Sequence, residues 1–153
     1  MWHSGSGKSV TVEDIFSKIG PHCRKNGVIF IGCDSQITRN LCTFSTVICF
    51  HGAESQSGGF YYFTREKTKR NSYPTMVLRL LKEVELSIQM GYKILEAFPD
   101  ADIEIHIDAN SRKEEPTGKF ADMLMGYAKG AGFRCKIKPD AWASNSIADK
   151  HSK

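Results

Sequence analysis

The run Val28-Ile29-Phe30-Ile31-Gly32-Cys33-Asp34-Ser35-Gln36 constrains this chain more than any other stretch. Its first four residues are apolar, three of them β-branched, and read as a buried strand that stops at a carboxylate. Withdrawing an unpartnered carboxylate from water is costly, so a core strand with such a tip requires a cation or hydrogen bonds there. Ile103-Glu104-Ile105-His106-Ile107-Asp108-Ala109-Asn110 repeats the pattern. Set side by side, the two strands bring Asp34 and Asp108 to one point, and a divalent metal is the partner this point implies.

Between and around these strands the order of elements is β-β-β-α-β-α-β-α. Residues 1–10 are small and polar and read as a flexible tail, with residues 11–153 forming a single domain. Gly5-Ser6-Gly7-Lys8-Ser9 is no phosphate loop, because Trp2 stands where the first glycine belongs and no strand precedes it. Thr11 and Asp14 open a short amphipathic helix that Gly20-Pro21 interrupts. Leu41 to Phe50 and Gly59 to Thr64 follow as strands, giving an antiparallel three-strand meander, and Arg65-Glu66-Lys67-Thr68-Lys69-Arg70 reads as a basic linker. Tyr73 to Phe98 is the longest helical pattern, with Pro74 in its first turn and a stripe through Leu80, Val84, Ser87, Gly91 and Ile94. Asp100 to Asp108 is the fourth strand, Lys119 to Lys129 a helix, Phe133 to Lys138 a fifth strand and Ser144 to Lys153 a final helix. The expected architecture is a mixed five-stranded α/β sheet with helices packed on it.

Composition narrows the class. With 41% hydrophobic and 25% charged residues the chain has the makings of a packed core. No run approaches the roughly 18 apolar residues of a membrane span, and no signal peptide is visible, so the expectation is a soluble, cytoplasmic protein. Five cysteines without CxxC spacing read as free thiols, mostly buried. A net charge of +4 is compatible with a polyanionic partner.

Longer segments carry a resemblance. Ile31-Gly32-Cys33-Asp34-Ser35-Gln36, His106-Ile107-Asp108 and the tail Lys136-Ile137-Lys138-Pro139-Asp140-Ala141-Trp142-Ala143-Ser144-Asn145-Ser146-Ile147-Ala148-Asp149-Lys150 resemble the bacterial and phage YkuK-type ribonuclease H-like family, from about residue 11 onward. The resemblance implies a ribonuclease H-like fold and metal-dependent cleavage of nucleic acid. It also implies a site of four acids, Asp34, Glu83, Asp108 and Asp149, holding two Mg²⁺ or Mn²⁺ ions. Glu85 rivals Glu83 on the helix, but Glu83 lies nearer the Ser87–Gly91 stripe and the family pattern favours it as well. Carboxylates without an accompanying His/Cys set suit hard cations better than zinc. Ser35, Gln36 and Asn110 are candidates to orient water or substrate, and Lys136, Lys138 and Lys150 to hold phosphates. His106 reads as a packed, hydrogen-bonded histidine, His151 as a candidate proton relay, and Trp142 as an anchor for the tail. The competing reading is a nucleic-acid-binding module whose catalytic site has degenerated.

Overall fold

Ten consecutive residues, the Val28 run and Ile37 after it, pair with one neighbour and four of them with another, so this strand becomes the centre of a sheet. The computed structural model describes residues 1–112 and 114–153. In chain order its strands are β1 (Trp2–Ser4), β2 (Ser9–Val10), β3 (Val28–Ile37), β4 (Leu41–His51), β5 (Phe60–Lys69), β6 (Ile103–His106) and β7 (Arg134–Lys136). The main helices are α1 (Val12–Arg24), α2 (Met76–Ala97), α3 (Ala121–Gly130) and the terminal turn α4 (Asp149–Ser152), which continues a π-helical segment, Ala143–Ala148. The sheet order is β2-β1-β5-β4-β3-β6-β7, with β3, β4 and β5 antiparallel and β6 and β7 parallel to β3. This is the mixed α/β architecture expected, but with seven strands in place of five.

The two additional strands come from residues 1–10, which were expected to form a tail. β1 pairs with β2 and with β5, with His3 opposite Phe63 and its ring stacked on it. Helix α1 also departs from expectation. It begins at the predicted capping box, in which Thr11 and Asp14 exchange hydrogen bonds of 3.0 Å, but runs through Gly20-Pro21 to Arg24. Burial of Ile15, Ile19 and His22 on the sheet, and a 2.9 Å bond between His22 Nε2 and the Val28 carbonyl, outweigh the hydrogen bond lost at Pro21. In α2 the start lies later than expected: Thr75 is the N-cap, accepting from the Leu78 amide, and Pro74 precedes the helix. The segment read as a basic linker is strand, since β5 stays in register with β4 as far as Lys69 opposite Leu41.

One face of the sheet carries α1, α2 and α3 over a core built from Ile29, Ile31, Ile48, Phe50, Ile105 and the apolar stripe of α2. The other face is covered by the segment from Ala141 to Ser152, whose Ala143 and Ala148 pack on Val47, Cys49 and Phe63. Gly32 allows that approach, because a Cβ there would sit 2.6 Å from the Ser144 backbone nitrogen. His106 fastens the same segment. Its Nδ1 accepts from the Ala143 amide at 3.0 Å, so its Nε2 carries the hydrogen and donates to Glu104 at 2.8 Å. Trp142 anchors the tail between Phe30 and His106.

Candidate metal centre

Residues paired across antiparallel strands share a face, and alternate residues along a strand return to it. Asp34 therefore lies on the face covered by the C-terminal segment, while Ser35 lies on the helical face. The β3–β6 ladder stops at the Gly32–His106 pair. Two residues further along each chain stand Asp34 and Asp108, and the edge of β3 there is not paired with β6. Glu83 reaches this edge from the buried stripe of α2. The result is that one carboxylate oxygen from each of Asp34, Glu83 and Asp108 lies within 4.8 Å of the others.

The surroundings show what such a cluster requires. Asp34 and Glu83 are buried, at 5% and 6% exposure. Ser35 Oγ donates to Glu83 Oε2 at 2.5 Å, while Glu83 Oε1 is buried without a hydrogen-bond partner among the described residues. Burial, then the charge of Glu83 and the nearness of Asp108 and Asp149, push the Asp34 carboxyl up to about 10. Burial likewise pushes Glu83 up to about 8, against the lowering effect of its Ser35 hydrogen bond. Two acids held this far above their usual range are short of positive charge. An all-oxygen donor set with an orphaned carboxylate oxygen fits a hard divalent cation.

The remaining candidates fall around this cluster at different distances. Asp149, on α4, is outside the group of three, and its Oδ2 pairs with Lys153 Nζ at 3.2 Å. Lys138 Nζ stands 2.9 Å from Asp108 Oδ1, placed there because the chain after β6 still bonds to residues 136–138. Burial alone would lower the Lys138 ammonium, but Asp108, Asp34 and Asp149 together raise it. The Thr117 hydroxyl accepts from the backbone N–H of Asn110 at 2.9 Å and from its side-chain Nδ2 at 3.5 Å. Gln36 is half-buried on the Asp34 face, and Lys136 and Lys150 are exposed. Glu85 is turned outward, 41% exposed, bonded to Gln89 and paired with Lys82. His151 faces β5, stacked on Phe63 with ring centroids 3.7 Å apart and bonded to the Tyr61 hydroxyl.

Two residues at the site have no counterpart in the sequence reading. Ser152 Oγ lies 3.3 Å from Asp34 Oδ2 and 3.0 Å from the Asp149 carbonyl, for either of which it is the donor. Ser45 is directly opposite Asp34 in the β3–β4 register, fully buried, and its hydroxyl has no partner among the described residues. Only the strand register reveals Ser45, and its one signal in sequence is a small polar residue inside an apolar strand.

A family model described as Ribonuclease H-like matches residues 10–153. No curated protein and no solved structure matches the chain. No helix among the described residues is long and apolar enough to cross a membrane.

Proposed function

Because the chain belongs to the ribonuclease H-like family, we propose that it is a metal-dependent nuclease that hydrolyses phosphodiester bonds within RNA, RNA:DNA hybrid or branched DNA. The observation that carries this reading is the meeting of three carboxylates from three separate elements in a buried place, one of them with an orphaned oxygen. Asp34, Glu83, Asp108 and, at the periphery, Asp149 would hold two Mg²⁺ or Mn²⁺ ions. Such a pair supplies water activation at neutral pH and charge stabilisation of the leaving oxygen.

The chain's own residues do the rest. Asp34, whose carboxyl has Glu83, Asp108 and Asp149 as neighbours, would help to hold both ions. Ser35 fixes the Glu83 carboxylate by holding one oxygen and leaving the other free. Lys138 pairs with Asp108, and its ammonium would be available to a phosphate oxygen were a cation to take over that carboxylate. Exclusion of bulk water by the C-terminal segment strengthens each of these electrostatic contacts.

The test is direct. Purified protein incubated with hybrid, single-stranded and branched substrates should cut in Mn²⁺ or Mg²⁺ and stop in EDTA, and Asp34→Asn should abolish cutting while the fold survives. Equal cutting by Asp34→Asn would overturn the assigned site. Salt-sensitive binding without cutting by either protein would favour the degenerate binding module.

A further inference from the structure

The charged half of β5 has a sidedness that the proposed chemistry does not use. Register carries Arg65 opposite Ser45, and Ser45 opposite Asp34; Lys67 is opposite Thr43, and Thr43 opposite Gln36. Arg65, Lys67 and Lys69 therefore all lie on the face that holds Asp34, while Glu66, the one acid of the segment, lies on the other. All three cations are exposed, and none makes an ion pair among the described residues. Arg65 is steadied over the Phe63 ring, 5.6 Å from its centroid.

Distances match a polyanion. Alternate residues of a strand are about 6.7 Å apart, close to the separation of adjacent phosphates along one nucleic-acid strand, and two strand spacings put Arg65 about 10 Å from Asp34. On the opposite flank of the acids a cavity of about 400 Å³ is lined by Asn110, Ser111, Arg112, Lys138, Pro139 and Asn145, all polar but the proline. The carboxylates thus stand between two cationic regions on one surface.

Resting on the nuclease reading above, we propose that the strand being cut runs from the cavity beside Lys138, over the carboxylates and past the end of α4, onto β5, where Arg65, Lys67 and Lys69 hold its phosphates. β1 pairs with β5 only as far as Thr64, so the charged half of β5 is a free edge, and lysines there also discourage edge-to-edge aggregation. That role asks only for charge, whereas this one requires the charge on the Asp34 face.

The experiment measures binding of a fluorescein-labelled single-stranded oligonucleotide in EDTA across a salt series, and cutting in Mn²⁺. Arg65→Gln/Lys67→Gln/Lys69→Gln should lower the slope of log affinity against log salt by about 2 and raise KM with kcat nearly unchanged. A control that removes equal charge from the helical side, Lys18→Gln/Arg24→Gln/Lys93→Gln, should keep the parent slope. Lys67→Glu, which leaves the edge charged and soluble, should weaken binding more than Lys67→Gln. Unchanged slopes in all variants, or equal losses in both triple variants, would overturn the track while leaving the nuclease reading intact. A parent protein that neither binds nor cuts would remove both.

Discussion

Glu83 and Glu85 differ by two positions on one helix and by everything in their surroundings. Helical periodicity separates them, since Glu83 falls on the buried stripe and Glu85 does not. What periodicity does not supply is the support given to Glu83 by Ser35, because that contact joins residues 48 positions apart. Partners that orient a metal ligand commonly contribute 10–100-fold in affinity. Ser35→Ala is therefore expected to weaken Mn²⁺ binding by about 10-fold or more, read by calorimetric titration, with Glu85→Gln indistinguishable from the parent. A Ser35→Ala protein that binds Mn²⁺ normally would mean that Glu83 needs no such support.

Among the elements, β3 and the long amphipathic helix were legible because each holds one pattern for many residues, although β3 does not stop at its aspartate but runs on to Ile37, and β6 is only four residues long and ends at His106, two residues short of Asp108. The hairpin β1–β2 was not, since strands of three and two residues carry no alternation to detect, and only β5 gives them an edge to join. The outer half of β5 was hidden for a different reason: alternating Arg, Glu, Lys and Thr reads as loop until register with β4 is known. The C-terminal segment was recognised as helical, but its position over Asp34 depends on Gly32. Gly32→Ala places a methyl against the Ala143–Ser144 backbone, which cannot yield as a flexible side chain would. The expected cost is about 1–3 kcal/mol of stability, seen in denaturant unfolding, together with faster amide exchange at Ala143. A fully stable Gly32→Ala protein with a protected tail would refute the close seating.

For the whole molecule, the acids are a source of stress that a bound cation would relieve. Asp34 and Glu83 hold protons more tightly in the fold than in the unfolded chain, where carboxyls titrate near 4. Their contribution to stability is consequently full below about pH 4 and declines as pH rises, through about 8 for Glu83 and about 10 for Asp34. Metal-free protein should lose thermal stability between pH 5 and pH 9, and saturating Mn²⁺ should restore it by about 2.7 kcal/mol at one hundred times Kd. Binding at pH 7 should also release about one to two protons, measured by calorimetry in buffers of different ionisation enthalpy. A melting temperature indifferent to both pH and Mn²⁺ would mean that the three acids do not act as one centre.

The unbroken ten-pair ladder between β3 and β4 has one more consequence. Which side of the sheet receives the key aspartate is a matter of odd or even, counted along the strand. Loss of a single codon between Asp34 and Thr38, on the side of the turn that sets the register, would leave every acid in the polypeptide yet move Asp34 opposite Phe44 and toward the helices, so a reading frame kept intact is no guarantee that the phase of the strand is.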